Sequence, residues 1–456
     1  MSVGAGGSTD DVLRLAADRA LGYLRQLEGR GVAPTPGALA RLAELNEPLP
    51  ERPGDAAEVI RLLDDVGSPA TVASAGGRYF GFVIGGSLPA ALAANWLAGA
   101  WDQNAGPVVA SPIAAALEVV AERWLRDVLT LPASAAAAFV TGATMANFSC
   151  LAAARHAVLA RAGWNVEADG LAGAPPVTVV VGAEVHPSVL KSLGLLGFGR
   201  ERVVRVAVDR QGRMRADALP PLAAPTIVCV QLGNVNTGAC DPVGAIAARA
   251  RDAGAWVHVD GAFGLWAAAA PTRAHLVDGL AAADSWATDA HKWLNVPYDS
   301  GLAFVRDAEA LRAAMAVSAA YFPESEARQP DDYTPELSRR ARGIEVWAAL
   351  RTLGRVGLAE LVERTCRHAA HFADGLRAAG YEILNEVVLN QVLVSFGDDA
   401  RTRRVIAAIQ TDGTCWCGAT VWQGRGAMRI SVSSWATTDA DVERSLAAML
   451  RLAREA

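Results

Sequence analysis

The chain has 456 residues, 52% hydrophobic and 20% charged, with a formal net charge of -6, so it can bury a large core and spans more than one lobe. An acidic balance without a basic cluster argues against a nucleic-acid binder, which would need a basic face to release phosphate counterions. Six cysteines in so long a chain make no disulfide framework, and Cys415 and Cys417 lack the second pair a zinc site needs, which points to a reducing cytoplasm and no metal. Residues 1–11 are Gly/Ser-rich without a basic-then-apolar leader, and no apolar run reaches roughly 18 residues unbroken. The expectation is a soluble, unprocessed chain with no membrane partner.

Residues 9–29 space Val12, Leu13, Leu15, Leu21, Leu24 and Leu27 for an amphipathic helix, with Asp10, Asp11, Arg14 and Arg25 between them. Pro34, Pro36, Pro48, Pro50 and Pro53 punctuate the stretch after this helix. Residues 1–105 are expected to form a helical arm and dimerisation segment, since such an apolar face needs cover and a second subunit can supply it. From about residue 135 apolar bursts alternate with helical stretches, the pattern of a parallel sheet covered on both faces. The predicted strands are residues 136–140, 177–181, 203–206, 226–232, 256–260, 285–287 and 302–305, within a large α/β domain over 106–343. Long helices are predicted at 344–356 and 359–379, then short strands at 382–384, 391–396 and 427–432, giving a smaller C-terminal α+β domain over 344–456.

In sheets of this kind ligands gather at the carboxyl ends of strands, and the distinctive residues fall there. Two of the 42 basic residues are lysines, Lys191 and Lys292. An imine-forming lysine is a place where arginine fails, because guanidinium stays protonated. Lys292 follows His291 between two apolar runs and is read as that lysine; Lys191 is read as structural. Thr141-Gly142-Ala143-Thr144 joins a strand to a helix, where small residues let backbone N–H groups approach a phosphate. Asp260 ends a strand, and a carboxylate buried there needs a cationic partner. His258, two residues earlier, is read as core, and Asp241-Pro242 as a helix start. His368 and His371 have helical metal-ligand spacing without matching partners and are read as surface or packing residues.

Asp289-Ala290-His291-Lys292-Trp293 resembles the Asn-x-His-Lys-Trp/Met segment of the group II pyridoxal-phosphate (PLP) amino-acid decarboxylases, and departs from it at Asp289. Thr141 to Thr144 with Met145, Ala146 and Asn147 is similar to the family's Ser/Thr-Gly-Gly-Thr/Ser-x-Ala-Asn. Asp260 with Ala262 matches its Asp-x-Ala, and the turn from Gly233 to Pro242 its Gly-x-Thr-x-x-Gly-x-x-Asp-Pro. The motifs run in the family's order from about Arg78 to Ser434. The resemblance implies a fold type I PLP-dependent fold and decarboxylation of an L-amino acid through a Schiff base on Lys292. It implies Asp260 on the pyridinium nitrogen, His186 and Ala262 on opposite ring faces, and Asn236 near the phenolic oxygen and the substrate carboxylate. It further implies Phe82 near the substrate cavity and Tyr333, in the polar loop 324–338, as the acid that protonates the α-carbon. Arg429, within an apolar strand, is the candidate for the substrate carboxylate. A homodimer is implied as well. An aminotransferase or aldehyde-forming oxidase on the same scaffold is the alternative, and a non-catalytic PLP-fold binding protein a third reading.

Overall fold

In the computed structural model, residues 8–317 and 328–456 are described. The start of the chain (residues 1–7) and residues 324–327 of the polar loop lie outside them. The apolar bursts form a seven-stranded sheet: β1 Ala136–Val140, β2 Thr178–Gly182, β3 Val204–Val206, β4 Thr226–Gln231, β5 Trp256–Asp260, β6 Ser285–Asp289 and β7 Gly301–Val305, in the order β1-β7-β6-β5-β4-β2-β3. β7 runs antiparallel to β1 and β6, and the remaining pairings are parallel. The predicted limits hold to within two residues, the largest difference being β6, which runs on to Asp289.

Both faces of the sheet are buried, which is why the strands read as continuous apolar runs rather than alternating ones. Phe139, Val228, Val257, Val259, Trp286 and Phe304 point into one core. Val140, Val181, Ile227, Cys229, Ala287 and Ala303 point into the other, beneath the helices Ala143–Arg161 and Pro187–Leu195. At about 25 cal/mol per Å² of apolar surface removed from water, these two layers are the main source of stability for the sheet.

The C-terminal sheet has four antiparallel strands, β8 Glu382–Ile383, β9 Gln391–Ser395, β10 Gly418–Trp422 and β11 Arg425–Ser431, in the order β10-β11-β9-β8. β10 is absent from the predicted strands because its outward positions, Ala419 and Val421, are exposed and break the apolar run. The two predicted long helices are both present within Gly343–Ala378 and meet at a kink at Gly354, where the backbone is non-helical (φ 59°, ψ -172°).

The stretch Arg78–Leu88, within the N-terminal 105 residues, is tied into this small sheet. Trp416 N–H donates to Arg78 O, Phe80 N–H to Trp416 O and Ser431 N–H to Phe80 O, while the Phe80 ring enters the small-domain core. The chain then passes directly over the turn after β6: Leu88 N–H donates to Asn295 O, and a Cβ on Gly85 would lie 1.7 Å from the Lys292 carbonyl oxygen. Glycine is required at that crossing. No helix among the described residues is long and apolar enough to cross a membrane.

Candidate active site

β1, β2, β5 and β6 deliver their carboxyl ends to one place. β5 ends on Asp260, 3% exposed. Burial raises its carboxyl above the usual range, and His186, Lys292, the Ala262 N–H and the Asn147 side chain pull it back. β6 ends on Asp289, and the turn after it carries His291 and Lys292. Lys292 Nζ lies 2.9 Å from Asp289 Oδ2, with its side chain 18% exposed. The His291 ring stacks on Tyr298 with centroids 4.2 Å apart and accepts from Ser300 N–H at 3.3 Å. Burial lowers its pKa.

β1 leads through Thr141 and Gly142 into the helix Ala143–Arg161, whose first N–H, that of Ala143, donates to Asp289 Oδ1. A Cβ on Gly142 would press on His291 at 3.2 Å and on Asp289 Oδ1 at 3.4 Å. His186 caps the helix Pro187–Leu195 beyond β2, close enough to Asp260, Lys292 and Arg429 to feel their charges, while burial lowers its pKa.

A hydrogen-bonded chain beneath the site sets the histidine tautomers. Trp256 Nε1–H donates to Ser285 Oγ (2.9 Å), and Ser285 lies 3.0 Å from His258 Nδ1. Ser285 therefore donates to Nδ1, and His258 donates its Nε2–H to Asn147 Oδ1 at 2.9 Å. Asn147 Nδ2 donates to Ser188 Oγ at 3.2 Å, and Ser188 lies 2.8 Å from His186 Nδ1. His186 Nδ1 also accepts from Ser188 N–H, so the proton of neutral His186 sits on Nε2. His258 is core, as expected, and is also a link in this chain. Asn147 and Ser188 received no role from sequence reasoning. The signal for the link is that His258 and Asp260 share a face of β5 at period two, so the histidine cannot face apolar surroundings alone.

Arg429, on β11, is half-buried and has no carboxylate within ion-pair distance among the described residues. Burial pulls its pKa down, and its Nη1 donates to Val235 O at 3.2 Å. Asn236 accepts from the Thr420 hydroxyl at 2.8 Å, so its side chain is anchored to β10. Tyr79 stacks on Trp416 at 5.1 Å, and Phe82, 60% exposed, rests on the same indole at 5.6 Å. Burial pushes the Tyr79 phenol up to about 12.

Tyr333 is not brought to this cluster. Arg328 sits over its ring at 4.3 Å, and the ring packs against the core that includes Val140, Val181 and Ala303. Lys191 is exposed on its helix. His368 and His371 bridge to Asp439 and Glu443, each at 2.8 Å. The helix after Asp241-Pro242 begins at Val243.

The donor set fits PLP: an accessible amine, a buried carboxylate able to hold a protonated ring nitrogen, and a helix start whose first N–H reaches the same Asp289 carboxylate as the amine. Together the doubly covered sheet and this site define a fold type I PLP enzyme. The chain belongs to the pyridoxal-dependent decarboxylase family, whose conserved-domain model matches residues 36–397. It is 28% identical to tryptophan decarboxylase 1 of Oryza sativa subsp. japonica, over 94% of this chain and 90% of that one. It is 29% identical to L-2,4-diaminobutyrate decarboxylase of Rhizobium meliloti (strain 1021), over 80% and 75%. The crystal structure of Oryza sativa TDC with PLP and tryptamine superposes with a TM-score of 0.89 at 25% identity, covering 98% of each chain. The protein is a PLP-dependent amino-acid decarboxylase, and transamination or aldehyde formation is not the favoured activity.

Proposed function

We propose that the chain decarboxylates an aromatic L-amino acid to its amine and CO2, with the cofactor held on Lys292. The observation that carries the substrate class is the aromatic wall of Tyr79, Trp416 and Phe82, with Tyr79 close enough to feel the Arg429 charge. The activity named for the Oryza relative supports the same class. PLP, when bound, supplies the sink for the electron pair left at the α-carbon as CO2 departs.

The chain's own residues bind and orient. With PLP bound, Asp260 would hold the proton on its ring nitrogen, and His186, with its proton on Nε2, and Ala262 would be the residues to pack against the ring. Thr141, Gly142, Ala143 and Thr144, with His291 beside them, would hold its phosphate. Arg429 offers its charge to the substrate carboxylate, and Asn236, fixed by Thr420, offers its remaining amide group beside it. A panel of amino acids assayed for CO2 release tests the reading: tryptophan, tyrosine or phenylalanine should lead. A preference for glutamate or 2,4-diaminobutyrate would overturn it.

The same reading includes a homodimer, with the arm to residue 105, the domain 106–343 and the domain 344–456 as its parts. The helix Thr9–Gln26 buries none of its residues, and Leu13, Leu63 and Leu97 are all more than half exposed, at 61%, 58% and 53%. A cavity of about 1270 Å³ opens between that helix, the helix Ala56–Ala70 and Trp96. Apolar surface on this scale is what a second copy covers. All six cysteines are free and buried, which supports a cytoplasmic setting.

A further inference from the structure

Asp289 stands at the point where the cofactor site is least expected to carry an anion. Its side chain is 3% exposed, and both oxygens are engaged. Oδ1 accepts from Ala143 N–H at 2.5 Å, at the positive start of a helix of 19 residues whose N-cap, Gly142, has no side chain to satisfy it. The same oxygen is 3.5 Å from His291 Nε2, and Oδ2 holds the Lys292 ammonium at 2.9 Å. Gly301, paired with Asp289 across β6 and β7, packs directly on Gly142, where a Cβ on it would lie 2.4 Å from Gly142 Cα.

Resting on the reading of this turn as the PLP site, we propose that Asp289 is a built-in competitor of the cofactor's phosphate. In the cofactor-free chain its carboxylate occupies the helix-terminal N–H that the phosphate needs, and it ties down the lysine that must react. Entry of PLP therefore requires Asp289 to leave Ala143 and Lys292. A phosphate placed while it stays would face a like charge in a buried site, where repulsion is strongest. An amide of the same shape would instead donate to the phosphate. Asp289 is thus a positioning residue that sets how much of the binding comes from the phosphate. Unphosphorylated pyridoxal, which needs Lys292 but not the Ala143 N–H, gains nothing from the charge removal at the helix end.

The test is titration of the cofactor-free full chain with PLP and, separately, with pyridoxal. The visible band and the borohydride-fixed adduct on Lys292 are followed for the wild type, Asp289→Asn and Asp289→Ser. The quantity read is the ratio of PLP affinity to pyridoxal affinity, which cancels any change in the reactivity of Lys292 itself. The ratio is expected to rise at least about tenfold in both variants, ~1.4 kcal/mol of phosphate binding. Inorganic phosphate should also become a better competitor of PLP in both. An unchanged or lower ratio in a variant that keeps the wild-type circular dichroism would overturn the competition while leaving the Lys292 site intact. Absence of any Lys292 adduct in the wild type as well would overturn the cofactor-site reading, and this inference with it.

Discussion

Replacing Asn147 by alanine cuts the hydrogen-bonded chain under the active site at its centre. Asn147 accepts the His258 Nε2–H at 2.9 Å, donates to Ser188 Oγ at 3.2 Å and helps hold Asp260 ionised. His258 and Asp260 are 0% and 3% exposed, so neither recovers its bond from bulk water. At ~1–3 kcal/mol for each buried group left without its partner, the loss at these two sites comes to about 2–6 kcal/mol of folding free energy, less if a water enters the space. The assay is urea unfolding of the cofactor-free proteins, with PLP affinity measured in parallel. Affinity should fall, because Asp260 loses one of the donors that hold its carboxyl down and so pairs less readily with the ring proton. A change in unfolding free energy below about 0.5 kcal/mol, the range of an unremarkable surface substitution, would refute the chain of bonds.

His258 is held at about 3 by burial, against an ordinary value of 6.5. Between those values the unfolded chain binds the extra proton, so the contribution of His258 is complete above 6.5 and is lost as pH falls toward 3, by ~1.4 kcal/mol per pH unit. Asp241, raised to about 6 by burial, has the opposite sign, contributing below 3.8 and losing that contribution as pH rises through 6. The readable quantity is the stability difference between the wild type and His258→Asn, which should widen from about pH 4 to about pH 7; a constant difference would contradict the buried, neutral imidazole. Tyr333→Phe is expected to leave the rate and the amine-to-aldehyde ratio unchanged, since Tyr333 packs against Arg328. A shift toward aldehyde would restore it as the acid.

The sheet was legible in the sequence because a surface buried on both sides demands unbroken apolar strands, and residues 136–140 and 256–260 recur as β1 and β5 with no change of limits. The strand-end positions of Asp260, His186 and Lys292 followed from that sheet, since each lies just past a burst. β10 escaped because one of its faces is open to solvent and its apolar residues alternate with small and polar ones. Tyr333 was placed by its position in a loop, and a loop position carries no periodicity that says which way a ring points. The role of Asn147 was hidden for another reason: its partners, His258 and Ser188, are 111 and 41 residues away along the chain. Local pattern cannot bring such residues together; the packing of the helices Ala143–Arg161 and Pro187–Leu195 on each other, and of the first on β5, does.

The central claim is that Lys292 is the residue that carries the cofactor, and peptide mapping after borohydride reduction of the PLP-loaded protein tests it most directly. A pyridoxyl group is expected on the peptide containing His291 and Lys292, and none on the peptide containing Lys191. An adduct on Lys191, with Lys292 unmodified, would contradict the claim.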